Sequence, residues 1–170
     1  PPVLLQEQNA PRDNIVAALQ ALARDARPQD LVVVFLAGHG SEDNGDYFYQ
    51  PWEARYTSRS ALLAQSLSGE RLRTLLREVK ANKALVLLDT CASGKFTLVA
   101  RGPGEKDAVD RFARLSGRAV ISASAGKARE HEKLSHGLFT DALLRGLAGA
   151  ADRDGNRLVE VGELADFIEK

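Results

Sequence analysis

Two short apolar runs constrain this chain more than any other feature. Leu31–Leu36 (LVVVFL) and Leu85–Leu88 (LVLL) are unbroken β-branched, leucine and aromatic stretches. That is the pattern of strands buried on both faces in a parallel sheet. Amphipathic stretches alternate with them, as helices covering such a sheet would. Between Asp13 and Ala26, the residues Ile15, Val16, Leu19, Leu22, Ala23 and Ala26 share one helical face, and Pro28 closes the helix. Ser68 is placed to cap a helix reaching Ala81, with Leu72, Leu75, Leu76 and Val79 inward. A short helix near Asp107–Leu115 precedes a third strand, Arg118–Ser122. Helices over Leu138–Leu147 and Val161–Ile168 finish the chain. Ser41–Asp46 reads as a polar loop, Tyr47–Tyr49 as a short strand ended by Pro51, and 94–106, with Gly102-Pro103-Gly104, as a mobile surface loop. The fold class is α/β.

At 170 residues, 44% hydrophobic and 27% charged, the chain suits one domain with a sizeable core. Its 23 Lys and Arg balance 23 Asp and Glu, which argues against nucleic acid or a polybasic membrane contact as partner. The single cysteine, Cys91, excludes an intrachain disulfide framework and a multi-cysteine zinc site. No apolar run approaches the roughly 20 residues of a membrane span, and no signal-peptide pattern is present. A cytoplasmic, reducing location is therefore expected. The sequence holds no methionine and is read as a processed or truncated piece.

In open α/β sheets, ligands bind beyond the carboxyl ends of the strands. Leu31–Leu36 runs into Ala37-Gly38-His39-Gly40, and Leu85–Leu88 into Asp89-Thr90-Cys91-Ala92-Ser93-Gly94. If the two strands are parallel neighbours, His39 and Cys91 emerge at one edge, within reach of one substrate. An imidazole beside a cysteine aids thiolate formation and later protonates the leaving amine. The flanking glycines permit close backbone approach, and the N–H groups of Gly40 and Cys91 are candidates for an oxyanion hole. Separately, a lone cysteine is usually a small buried hydrophobe and a loop histidine is usually solvated; jointly, their placement favours catalysis. Competing motifs fail. Thr97 stands where a phosphatase loop needs arginine, Asp89 where a phosphate-binding loop needs glycine, and Ser122-Ala-Ser124 lacks the first glycine of a nucleophile elbow. His136, also followed by glycine, opens a helix and reads as structural.

The segments LVVVFLAGHGSE and LVLLDTCASG together resemble the caspase-like cysteine peptidases, above all their metacaspase and bacterial branches. His39 and Cys91 are 52 residues apart, close to the roughly 50 of caspases. Asp89-Thr90-Cys91-Ala92-Ser93-Gly94 is similar to the metacaspase pattern Asp-x-Cys-x-Ser-Gly, and SHGLFTDALLRGL resembles the bacterial branch. The resemblance implies a caspase-like sandwich over 1–170, a mostly parallel sheet flanked by helices, with the family's first strand expected before Pro1. It implies a His39–Cys91 dyad acting on protein or peptide substrates, and a substrate pocket formed by Asp89, Ser122 and Ser124. A carboxylate at Asp89 implies cleavage after Arg or Lys; the bland reading of Asp89 is a strand-end turn cap. Ala37 departs from the serine that metacaspases often carry two residues before the histidine. The resemblance also implies a zymogen-like control by self-cleavage, for which Lys95, Arg101 and Lys106 offer basic sites, and a sensor or scaffold domain outside this chain.

No cofactor is required for this chemistry; calcium is the one candidate. Asp152, Asp154, Asn156 and Glu163 fall at positions 1, 3, 5 and 12 of an EF-hand-like loop, with the Leu158 carbonyl at 7. Arg157 occupies the sixth position, where glycine makes the sharp turn, and it adds a positive charge. The bland reading is a polar turn before the last helix. The rival to a peptidase is a catalytically silent module that keeps the fold for regulation or protein interaction.

Overall fold

Of the 170 residues, the computed structural model describes 2–91, 114, 116–122 and 137–169, with Cys91 placed by its backbone. Helix α1 (Arg12–Asp25) buries Ile15, Leu19 and Ala23, the face its periodicity predicts. Strand β1 (Leu31–Asp43) turns through Asn44 and Gly45, at φ 51° and 79°, into β2 (Asp46–Gln50). Two consecutive left-handed residues make the tight turn that matches strand twist. Ser41–Asp46 is therefore not the loop its polarity suggests; only Asn44 and Gly45 leave the strands, because β1 continues to pair with β2 as far as Asp43.

Helix α2 (Arg59–Gln65), capped by Ser58, was not anticipated, since only a seven-residue stretch is involved. A two-residue strand, β3 (Leu67–Ser68), leads into α3 (Gly69–Glu78). Ser68 Oγ accepts from the Arg71 amide at 3.2 Å, the cap expected of it. The helix stops short of Ala81 because Val79 is already extended, at φ −69° and ψ 119°. Strands β4 (Lys83–Cys91) and β5 (Ala119–Ser122) precede α4 (Leu138–Arg145), a π-helical turn over Gly146–Ala150, and α5 (Val161–Glu169). The loop expected over 94–106 lies outside the described residues, as does most of the short helix expected over Asp107–Leu115.

The sheet is mixed, in the order β3-β2-β1-β4-β5. Strands β1, β4 and β5 run parallel, and β2 and β3 extend the sheet antiparallel. Helices α1 and α3 cover one face, where Ile15, Leu19, Leu72, Leu75 and Leu76 pack on Leu36, Tyr47, Val86 and Leu88. Helices α4 and α5 cover the other through Phe139, Leu143 and Leu164, which meet Leu87 and Ile121.

That arrangement corrects the expectation that β1 is buried on both faces. Leu31, Val33 and Phe35 are 69%, 52% and 45% exposed. Their face is the one served by α4 and α5, whose apolar side chains reach β4 and β5 instead. Arg118, just before β5, ties the sheet to the end of α3. Its guanidinium donates to the carbonyls of Leu76, Val79 and Ala81 at 3.1, 2.6 and 2.9 Å, across the end of the helix and the turn that follows it. Among the described residues, no helix is long and apolar enough to cross a membrane.

Candidate active site

Strand β4 ends beside β1 at the level of His39, four residues before β1 itself ends at Asp43. In the parallel ladder Ala37 is level with Asp89, Gly38 with Thr90, and His39 with Cys91. Adjacent strands are about 4.8 Å apart, so the two candidate reactive residues occupy neighbouring backbone positions. A separation of 52 positions in sequence folds back onto one register step. His39 is exposed at this edge.

The glycines beside His39 have physical reasons. Gly38 sits at φ +142°, where a side chain is strained. A Cβ on Gly40 would come within 3.0 Å of Tyr47 Cε2 and 3.3 Å of Thr90 Oγ1. Two tyrosines of β2 brace this end of the sheet. The Tyr49 hydroxyl donates to the Ala37 carbonyl at 2.9 Å, and the hydroxyls of Tyr47 and Thr90 are 3.0 Å apart and buried. Burial pushes the Tyr47 phenol well above its ordinary value, only partly offset by the Thr90 hydrogen bond, and burial raises Tyr49 as well.

Asp89 is half-buried beside the His39–Cys91 step. Its Oδ2 accepts a short hydrogen bond from the Thr140 hydroxyl, in the first turn of α4. A Cβ on Gly137, the residue before that helix, would lie 3.8 Å from the same oxygen. Ser122 ends β5 level with Leu88, half-buried and one strand further along the same sheet. Ser124, His136, Lys95, Arg101 and Lys106 lie outside the described residues. Sequence reasoning missed Thr140, Tyr47 and Thr90. For Thr140 a signal existed, since it ends the His-Gly-Leu-Phe-Thr stretch already singled out.

At the far end of the chain, one carboxylate oxygen each from Asp152, Asp154 and Glu163 lies within 4.8 Å of the others. These carboxylates are already engaged. Asp152 accepts from the amides of Gly155 and Arg157, both at 2.9 Å, and Asp154 from the amide and side chain of Asn156, both at 3.0 Å. Glu163 accepts from the amides of Arg153 and Glu160, at 3.0 and 3.1 Å. Arg157 takes the left-handed conformation, φ 68°, that glycine would adopt without cost.

A mixed sheet flanked by helices, with the Gly-His-Gly segment of β1 beside the Asp-Thr-Cys end of β4, is a caspase-like α/β fold. The chain belongs to the caspase domain family, whose model matches residues 4–166. No curated protein matches it. Among solved structures it is similar to the crystal structure of protein GSU0716 from Geobacter sulfurreducens. That likeness has a TM-score of 0.61 at 17% identity and covers 98% of this chain and 71% of the other. At such identity the likeness speaks for the fold.

Proposed function

We propose that the chain is an active cysteine endopeptidase in which His39 and Cys91 form the dyad and Asp89 selects Arg or Lys before the scissile bond. The observation that carries this reading is the register step that sets His39 level with Cys91 at the carboxyl edge of the sheet. Cys91, as thiolate, attacks the substrate carbonyl. The amides of Gly40 and Cys91 stabilise the oxyanion that forms. His39 then gives its proton to the leaving amine, and the peptide carbonyl stays on sulfur as a thioester. Water, deprotonated by His39, attacks the thioester and returns the free thiol. A carboxylate at the pocket floor pairs with a cationic side chain and repels an acidic one.

Cys91→Ala should abolish hydrolysis while leaving circular dichroism and thermal unfolding unchanged. Peptides with Arg or Lys before the bond should be cleaved faster than those with Asp. Asp89→Asn should cost the basic substrate about 2–5 kcal/mol, as for loss of one partner of a desolvated charge pair. Undiminished turnover by Cys91→Ala would overturn the dyad, and equal cleavage of Arg and Asp peptides would overturn the role of Asp89. A folded wild-type chain that cleaves neither peptide would favour the silent, regulatory module.

A further inference from the structure

The hydrogen bond between Thr140 and Asp89 joins two distant parts of the chain at the selecting carboxylate. They are 51 residues apart in sequence. The bond fixes one oxygen of Asp89 and leaves the other without a hydrogen-bond or ionic partner among the described residues. Each carboxylate oxygen has two acceptor positions, so a hydroxyl on Oδ2 does not exhaust the group. The donor is also neutral. An Arg or Lys of the protein in that place would cancel the charge a cationic substrate needs, whereas a threonine hydroxyl orients the carboxylate and leaves its charge intact.

The support around Thr140 is stiff. A β-branched side chain has few χ1 choices in a helix. Helix α4 is itself held by Phe139 and Leu143, packed under Leu87 and Ile121. Leu87 and Asp89 are two residues apart on β4 and so share a face of the sheet. The core contact that seats α4 on β4 thus also brings the Thr140 hydroxyl to Asp89. Gly137 lies beside the same oxygen, which a Cβ there would approach to 3.8 Å, an ordinary contact.

Resting on the proposed role of Asp89, we infer that Thr140 is a positioning residue for substrate selection: its hydroxyl orients the Asp89 carboxylate toward the substrate's cationic side chain. Ordering the carboxylate beforehand removes a cost that binding would otherwise bear. Its contribution should fall on substrates with a cation before the scissile bond and spare those with a neutral side chain.

The test measures binding in the Cys91→Ala background, where nothing turns over, with two short peptides that differ only in ending on arginine or norleucine amide. KM and kcat for the matching substrates are read in the Cys91 protein. Thr140→Val, nearly equal in shape, should weaken the arginine peptide by roughly tenfold, the scale of a lost hydrogen bond to a charged group. Binding of the norleucine peptide should not change. The kinetic effect should appear in KM more than in kcat, and Thr140→Ser, which restores a hydroxyl, should recover most of the loss. If Thr140→Val binds the arginine peptide as tightly as the parent does, or weakens both peptides equally, the positioning role is overturned. Asp89→Asn separates the two ideas. If it leaves arginine binding intact, or if the parent does not prefer arginine, the reading of Asp89 fails and this inference falls with it. If Asp89→Asn loses the preference and Thr140→Val keeps it, only the inference fails.

Discussion

Tyr47 lies beneath Gly40 and Thr90, each next to one member of the proposed dyad, and its titration makes it a reporter for that end of the sheet. Its folded phenol ionises at higher pH than the ordinary value near 10 because burial disfavours the phenolate. The stability this represents is complete below about pH 10 and is lost as pH rises toward the folded value, since the unfolded chain gives up the proton first. Each pH unit in that window should cost about 1.4 kcal/mol through Tyr47 alone. Tyr49, shifted in the same direction, adds to the slope. Tyr47→Phe should be less stable at neutral pH by about 1 kcal/mol, from the lost Thr90 hydrogen bond, yet lose stability more slowly above pH 10. Urea unfolding at a series of pH values checks both, and identical alkaline slopes for the two proteins would contradict the assignment. His39, Cys91 and Asp89 were legible as candidates because each follows closely on an apolar run and motif spacing singles it out. Tyr47 and Thr90, 43 residues apart, meet through tertiary packing and leave no local pattern to read.

Among the elements, the acidic turn before α5 carries the clearest conflict between local sequence and backbone. Arg157 holds a positive φ that costs a non-glycine residue about 1 kcal/mol or more. Arg157→Gly should relieve that strain, offset in part by the greater freedom of glycine in the unfolded chain, for a net gain of up to about 1 kcal/mol. A drop in the urea midpoint would show that the Arg157 side chain contributes more than its backbone loses. Calcium is tested on the same pair of proteins. Wild type, with its carboxylates engaged by loop amides and a positive charge at the sixth position, is expected to keep its Tm when calcium is added. A rise in wild-type Tm that Glu163→Gln removes would establish binding there. The EF-hand-like spacing was legible, but self-closure of the turn was not, since it depends on backbone amides that carry no residue signature. The hairpin shows the reverse case. Asn44-Gly45 is a strong turn signal, but the polar residues around it read as a loop because β1 pairs with β2 beyond its apolar run.

Taken whole, the molecule is a sheet whose two faces are served by different helices, with the candidate residues His39, Asp89 and Cys91 gathered where β4 ends beside β1. Alternation of apolar runs and amphipathic stretches made the layers and most helices legible. Strand order was not, since nothing local to β2 or β3 states that they extend the sheet beyond β1. Nor was the exposure of Leu31, Val33 and Phe35, which depends on how far α4 and α5 reach across the opposite face. The proposed specificity has a consequence for the chain as its own substrate. Lys95, Arg101 and Lys106 follow Cys91 in sequence, among Gly102, Pro103 and Gly104, and all three are residues that the proposed Asp89 pocket would accept. An endopeptidase with this preference should cut itself after one or more of them, because local concentration favours a site on the same chain over a free peptide. Incubated wild type should then yield fragments whose masses place a new carboxyl terminus at Lys95, Arg101 or Lys106, while Cys91→Ala stays intact. Replacing all three with glutamine should stop cleavage there yet leave hydrolysis of a short arginine peptide measurable. Wild type that keeps its full mass while turning over that peptide would show that the chain does not process itself at these residues.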